Sequence, residues 1–513
     1  MLADVFENFR KVCMDSMGLD PAYYLSLPQY SWDCLLKYTK QELELLTDPE
    51  QFKFYEKGIR GGVSIITKRK ATANNKYMSN YDTTKESDYI LYLDANSLYP
   101  AAMSKYLPYG GVEWDTDNWI NLNVNEAAIK IVNLSENSEV GYTFEVDLKY
   151  PRELHETHDD YPFCPESLQV TDDMLSPYCK NIKSKLNIKT GKTKKLIQSL
   201  QDKTNYVLSY QNLKQALLHG LELVKIHRVV KFKQSAWMKP YMDFNIRKRQ
   251  ESHNDFEKNF FKLMMNSVFG KTMENVRKYV KCIVVTDPEK CNELTCKKEY
   301  LGFKIINENT VLNFSKPLTV KLNKPIFIGQ NILDISKTIM YEFHYDVMKA
   351  KYGKNAQLLF TDTDSLMYDI KTEDVYEDLE SIKDKFDFSD YPKDSKLYST
   401  ENKKLAGKFK DEANGKQITE FTGHRAKEYC IKFDDGKQKP TAKGIKEKFQ
   451  KEKYDEVLEQ SSQEFSTMTS IRSKNHQLGL YDVRKIGLSS YDDKRHISDD
   501  GVTSHAYGYN ASV

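Results

Sequence analysis

The stretch Leu358-Leu359-Phe360-Thr361-Asp362-Thr363-Asp364-Ser365-Leu366-Met367-Tyr368 organises the chain. Apolar residues flank a tight Asp-Thr-Asp centre on both sides, which reads as a hairpin with its turn at the carboxylates. Two acids held on a rigid buried ribbon repel each other unless a cation sits between them. Hard oxygen ligands of this kind suit Mg²⁺, which keeps several waters and takes one or two carboxylates plus phosphates. Taken alone, the stretch reads equally well as a solvated Asp-rich turn, so other parts of the chain must decide.

The first of these is Asp88-Tyr89-Ile90-Leu91-Tyr92-Leu93-Asp94, a strand running into an acid and followed by Ala95-Asn96-Ser97-Leu98-Tyr99-Pro100. A buried strand that ends in a carboxylate fixes the acid through its backbone and makes a good platform for a metal. Asp94 lies far from Asp362 in sequence, so bringing them together requires adjacent strands of one sheet. Ser97 to Pro100 then forms the turn leaving that strand, with Tyr99 beside whatever the site holds. The second is the segment 255–276, where Lys262, Asn266, Phe269 and Met273 share one helical face. A cation, an amide, an aromatic ring and then Gly270 make an odd stripe for a core. They suit a nucleoside triphosphate: Lys262 neutralises phosphate, Phe269 offers a flat face to a base, and Gly270 lets the backbone come close. An amphipathic helix with a snorkelling Lys is the structural alternative.

Working outward, 513 residues are enough for about two to four lobes sharing a sizeable core. Lys and Arg total 76 against 74 Asp and Glu, so a net charge of +2 neither demands nor excludes nucleic acid; segregation of the charges decides that. The eight cysteines are scattered, with no second pair or His cluster at zinc-site spacing, and read as reduced intracellular thiols. No apolar run reaches membrane-spanning length. A soluble intracellular protein with no membrane partner is expected, and neither a nucleus nor a viral replication site is singled out.

Residues 2–13 carry an apolar helical stripe with no cap ahead of it, the pattern of a helix continued from a preceding domain. Arg60-Gly61-Gly62 marks a loop whose glycines admit a ligand closely, with Arg60, Lys68, Arg69 and Lys70 as phosphate partners. Seven lysines between Met174 and Gln201, with no acid among them, offer a phosphate-backbone contact or simply a solvated face. Residues 281–325 are polar and strand-rich, and a long helix is expected through Ile332, Ile335, Ile339, Phe343 and Val347. Residues 371–404 read as a charged surface helix and loop. Lys427 to Phe433 alternates as a strand, so that Lys427 and Tyr429 share a face. From about 440 the chain is Lys-rich and reads as helical, and Asp492-Asp493-Lys494-Arg495 reads as surface.

Three of these stretches, in this order, resemble motifs A, B and C of family B DNA polymerases: Asp94 to Pro100, Lys262 to Gly270, and Phe360 to Ser365. Arg60-Gly61-Gly62 resembles the linker motif of the protein-primed branch, and Lys427-Glu428-Tyr429 its Lys-x-Tyr motif. The match spans nearly the whole chain and is closest to polymerases of viruses and self-synthesising DNA transposons. Such a resemblance implies an α+β right-hand fold of palm, fingers and thumb, with two insertions between the polymerase motifs. Residues 1–85 would be an exonuclease-proximal remnant and linker, 86–108 palm, and 109–240 palm with the first insertion. Fingers would follow at 241–280, the second insertion at 281–330, palm again at 331–440, and thumb and tail at 441–513. Most of the N-terminal exonuclease domain would be missing, and with it 3′–5′ exonuclease activity.

Carried over position by position, the resemblance implies that Asp94 and Asp362 bind two Mg²⁺ ions, with Mn²⁺ as a substitute and Asp364 beside them. Ser97, Leu98, Tyr99, Lys262, Asn266, Phe269 and Gly270 would meet the deoxynucleoside triphosphate, Tyr99 excluding a 2′-hydroxyl. Phe269 stands where the family more often has Tyr. Arg60, Gly61, Gly62, Ser365, Lys427, Tyr429 and Lys443 would meet the primer–template DNA, with a terminal protein as a further partner. The activity implied is DNA-directed DNA polymerisation by a two-metal mechanism. The alternative from another class is a catalytically silent DNA-binding remnant of a mobile element. A reverse transcriptase fits less well, because its hairpin usually carries adjacent aspartates.

Overall fold

The computed structural model describes residues 2–474 and 477–510, with only the backbone of Lys474. Among the described residues, nine strands join one antiparallel sheet: β1 Ser64–Ile66, β2 Lys70–Thr72, β3 Asp88–Ala95, β4 Ala356–Asp362, β5 Ser365–Lys371, β6 Phe409–Asp411, β7 Ile418–Arg425, β8 Glu428–Phe433 and β9 Gln438–Ala442. Their order is β1-β4-β5-β3-β7-β8-β9, with β6 pairing β3 and β2 pairing β7. The alternation of β3 explains its central place. Tyr89, Leu91 and Leu93 enter the main hydrophobic core on one face, while Ile90 enters a second core on the other, with Tyr92 packed against it. In β5, Leu366, Tyr368 and Ile370 take the first core and Met367 the second.

Leu2–Met17 forms α1, four residues longer than expected. Its first turns leave Leu2, Val5 and Phe6 exposed, but Cys13 and Met17 are buried and Phe9 packs edge-on against Phe260 at 5.7 Å. The face expected to need a preceding domain is therefore covered in part by this chain. Leu98–Met103 forms α2 directly after β3, so the expected turn at Ser97–Pro100 is a helix start, with Ser97 left-handed at φ +47°. Lys239–Glu251 and Asp255–Thr272 form α3 and α4, which pack on one another and on the helix Leu27–Thr39. The long helix α5, Ile326–Glu342, continues as a π-helical turn through Lys349 and leads to β4.

Among the described residues five further sheets lie outside the central one, two of them short two-stranded pairs. Leu107–Trp114, Glu222–Ser235, Val140–Lys149 and Lys203–Ser209 form a four-stranded sheet in that order. Lys281–Val285, Thr310–Ser315 and Tyr300–Asn307 form a three-stranded one, as the strand-rich reading of 281–325 requires. Gln463–Lys474 and Gln477–Ser489 pair as a long ribbon. The helical expectation beyond residue 440 fails here, because among the described residues of that segment only Lys451–Glu459 is α-helical. In the ribbon Phe465, Ile471, Leu478, Leu480 and Ile486 are exposed; this apolar content favours strand over helix.

Two charged stretches expected at the surface are drawn partly into the protein. Residues 371–404 bury Phe386, Phe388, Tyr391 and Leu397 in the main core. In the tail, Asp492 and Arg495 are buried; Arg495 Nη1 donates to the Asp159 carbonyl at 2.8 Å, and the tail returns to bridge Lys68 through Thr503. Charge runs read as surface because single residues hide their partners, and these partners lie hundreds of positions away. Of the lysine-rich run, Lys183 pairs with Asp172, Lys195 with Asp493 at 2.6 Å, and Lys185 donates to the Gln460 carbonyl. All eight cysteines are unpaired. No helix among the described residues is long and apolar enough to cross a membrane.

Candidate active site

Strand register assembles the acids. Ser365 of β5 stands opposite Asp94 of β3, and the Asp364 carbonyl accepts from Ala95 N at 2.7 Å, so Asp94 and Asp364 are neighbours across one strand gap. Asp362 ends β4, one strand further on. On the other side of β3, Lys410 of β6 stands opposite Asp94. The connection between β4 and β5 is a two-residue turn, Thr363-Asp364, with Thr363 at φ +67°. A β-branched residue rarely adopts that conformation and is strained there by about 1–3 kcal/mol.

The strained turn is held from outside. Thr363 N donates to the Val63 carbonyl at 2.7 Å, and Ser64 of β1 stands opposite Asp362. A Cβ on Gly62 would meet Thr363 Cγ2 at 2.5 Å, so only glycine lets this loop lie against the hairpin. Gly62 of the Arg-Gly-Gly stretch thus does admit a close approach, and what approaches is the acidic turn itself, whereas a Cβ on Gly61 would meet nothing within 4 Å. Arg60 is corrected as a phosphate partner. Its guanidinium donates to the Val207 carbonyl at 2.7 Å and stacks on Tyr206 at 3.7 Å, inside the protein. Lys68 pairs with Asp369 at 2.8 Å, Arg69 is buried against the Ser490 and Gly501 carbonyls, and Lys70 pairs with Glu459.

Burial pushes the Asp94 carboxyl up to about 7, helped by the charges of Asp364 and Glu412 and opposed by Lys410 and Lys262. Asp364 is raised by burial and by Asp362, and opposed by Lys427 and Lys262. Lys427 Nζ lies 2.6 Å from Asp362 Oδ1. This lysine sits in a left-handed turn at φ +64°, just before β8 begins at Glu428, so it does not share a strand face with Tyr429. Tyr429 and Ser365 are corrected as DNA contacts, because both are buried. The Tyr429 ring stacks on Phe360 at 4.5 Å and its hydroxyl lies 3.1 Å from that of Tyr92. Lys443 is exposed, its N–H reaching the Lys427 carbonyl at 3.3 Å.

Helix α4 comes near these acids, since the charge of its Lys262 lowers both the Asp94 and the Asp364 carboxyl. The Tyr99 and Phe269 rings stack with centroids 4.6 Å apart and planes within 11°, joining α2 to α4; such a pair contributes about 0.5–1.5 kcal/mol beyond its buried area. Lys262 is exposed, Asn266 half-buried, and neither side chain has a hydrogen-bond or ion-pair partner among the described residues. A Cβ on Gly270 would meet nothing within 4 Å. Leu98 is buried beneath the turn, and Ser97 Oγ lies 3.5 Å from Arg249 Nη1 of α3.

Residues 74–350, more than half of the chain, match the family described as DNA polymerase type B, organellar and viral. The chain belongs to this family. Phi29 DNA polymerase in complex with primer-template DNA and incoming nucleotide substrates is similar in structure, with a TM-score of 0.53 and 16% identity over 91% of this chain and 68% of that one. An orthorhombic crystal form of Phi29 DNA polymerase gives 0.52 with the same identity and coverage. At that identity the likeness is one of fold, and it makes this a right-hand polymerase architecture. No curated protein matches in sequence.

Type B polymerases generally use divalent metals, and the donor set here fits one. Asp94 and Asp364 are hard oxygen donors held together with their charges only partly compensated, and the ammonium of Lys427 already stands as a cation beside Asp362. Among the described residues no three acid, His or Cys side chains close into a cage. Open carboxylates completed by substrate phosphates are the arrangement Mg²⁺ favours. The sequence reading missed Lys410, Glu412 and Arg249 of this polymerase. The first two follow a long irregular loop whose return to β3 no local pattern announces. Arg249 sits in a polar helix among other basic residues, with nothing to single it out.

Proposed function

We propose that this polymerase adds deoxynucleotides to a primer 3′-hydroxyl under the direction of a DNA template, with Asp94 and Asp362 holding two Mg²⁺ ions and Asp364 beside them. Ions held by these residues would supply a lowered pKa at the primer hydroxyl and charge neutralisation at the leaving pyrophosphate. Lys262 and Asn266, without hydrogen-bond or ion-pair partners among the described residues, bind the triphosphate. Tyr99 and Phe269 together form a flat wall, with the sugar above Tyr99 and the nascent base pair against Phe269. Lys427 exchanges its hold on Asp362 for the primer terminus as DNA enters, and Lys443 follows the backbone nearby. The nine-stranded sheet acts as palm, α3 and α4 as fingers, and the ribbon 463–489 as thumb. The sheets within 107–235 and 281–315 are the two insertions, and priming from a terminal protein goes with them.

The single observation carrying this reading is that a cation of α4 acts on both Asp94 and Asp364 while the same helix stacks Phe269 on Tyr99. Carboxylates, an unpaired lysine and an aromatic wall then surround one cleft, and phosphoryl transfer needs little more than such positioning and charge stabilisation. The test is primer extension with Mg²⁺. The wild-type chain should extend a DNA primer, and Asp362→Asn should lower incorporation at least about a thousandfold while leaving primer–template affinity within a few-fold. Equal loss of incorporation and binding would make Asp362 structural, and an inactive wild-type chain would defeat the reading.

A further inference from the structure

A loop far from the three polymerase motifs reaches the same cleft. Residues 386–408 leave the central sheet after β5 and return to it as β6. They are anchored on the residue after Ala95: Asn96 N donates to the Lys408 carbonyl at 2.8 Å, and Gly407 N to the Asn96 carbonyl at 2.7 Å. The carboxylate of Asp387 ties the two together, with Oδ2 accepting from Asn96 Nδ2 and from Lys404 N, each at 2.8 Å. At its other edge the loop meets the end of α3, where Gln250 Nε2 donates to the Lys403 carbonyl at 2.8 Å. Lys404 therefore sits where the sheet side and the helix side of the cleft touch.

We propose that Lys404 binds the outer, γ-phosphate end of the incoming nucleotide. The inference rests on the polymerase reading of the cleft and adds a phosphate ligand from an element outside the helix pair. Lys404 is held in a left-handed turn at φ +56°, which fixes where its side chain leaves the backbone. Its ammonium has no hydrogen-bond or ion-pair partner among the described residues. Like charges crowd it: burial and then Arg249, Lys403 and Lys258 disfavour its protonated form, with Asp390 as the acid that opposes them. Lys258 has Asp255 at 3.5 Å, but Arg249, Lys403 and Lys404 have no ion-pair partner among the described residues, and cations so gathered are costly unless an anion joins them.

The neighbours also order the site. Lys262 acts on Asp94 and Asp364, whereas Lys404 interacts with Arg249 and with Lys258, one turn before Lys262 on α4. A chain of phosphates running outward from the carboxylates would pass Lys262 first and reach Lys404 last. Lys404 should therefore distinguish a triphosphate from a diphosphate.

The experiment uses the full chain on a primer–template ended with a dideoxynucleotide, measuring equilibrium affinity for the matched deoxynucleoside triphosphate and diphosphate with Mg²⁺. Lys404→Ala should weaken triphosphate binding about tenfold and leave diphosphate binding within about twofold, while Lys404→Arg keeps wild-type affinity for both. Equal losses for both nucleotides would assign Lys404 to holding the loop. No loss for either would remove it from the site. A wild-type chain that extends primers separates these outcomes from failure of the polymerase reading; one that binds no matched nucleotide overturns both.

Discussion

On the sheet side of the cleft, Asp94 and Asp364 are positioned by backbone: seven consecutive register pairs join β3 to β5, and the turn between the acids is pinned by Val63 and Gly62. Opposite them, Lys262 of α4, Arg249 of α3 and Lys404 of the 386–408 loop carry long side chains with at most one weak contact each among the described residues. On the proposed function, the contrast separates two tasks. Charges that align reacting atoms are held by the part of the fold with least freedom, because a displacement of about 1 Å can cost a hundredfold in rate. Charges that capture a flexible triphosphate are left with room to move, since their ligand supplies the order. The stacked pair Tyr99–Phe269 is where the rigid side meets the adaptable one.

If rigidity is what the sheet side contributes, disturbing it should be the more damaging change, even without touching an acid. Gly62→Ala places a methyl 2.5 Å from Thr363 Cγ2, on a short branched side chain that cannot swing away because its own backbone is strained. We expect a loss of about 10²-fold in kcat with little change in nucleotide KM. Single-turnover extension checks this. A change in KM alone would mean the loop serves binding and the contrast is drawn in the wrong place.

The joint between the two sides should yield a smaller and more selective effect. Tyr99→Val removes one ring of the stack and opens space beside the sugar. Incorporation of ribonucleotides relative to deoxynucleotides should rise about tenfold, with correct deoxynucleotide addition falling only modestly. Unchanged discrimination in single-nucleotide extension would take Tyr99 out of sugar recognition and leave it as a spacer between α2 and α4.

The same contrast explains what could be read without coordinates. Strands running into acids, and a helix stripe of Lys262, Asn266 and Phe269, are local patterns with fixed periods, so the central hairpin, β3 and α4 were legible residue by residue. Charge partners were not. Arg60, Lys68, Arg69 and Lys70 looked free because Tyr206, Asp369, Ser490 and Glu459 are remote in sequence. Lys404 and Lys410 were hidden by the opposite fault: a charged stretch resembling a surface loop is anchored by four aromatic or aliphatic residues in the main core. The ribbon at 463–489 was misread because the lysines of the preceding segment, Lys443 to Lys453, set the reading for everything beyond 440 and outweighed the ribbon's own apolar residues.

At the far end of the same strand pair the sheet carries a second pair of acids, and these serve as a control for the first. Asp88 and Asp369 lie diagonally across β3 and β5, and each keeps one buried oxygen with no other partner. Burial, then hydrogen bonding to and repulsion by Asp369, pushes Asp88 up to about 9, with Lys68 opposing. At neutral pH the Asp88 carboxyl thus keeps its proton. In the unfolded chain Asp88 loses it near pH 4, so between about pH 4 and pH 9 the folded state binds the extra proton and stability falls as pH rises. Asp88→Asn has no such proton to surrender. Its Tm should exceed that of the wild type by ~2 °C at pH 8 and by less at pH 6, with primer extension unchanged. A variant destabilised equally at both values would mean that Asp88 is held as an anion. The sheet would then tolerate paired acids without a proton, and the need for a cation between Asp94 and Asp364 would lose its closest internal comparison.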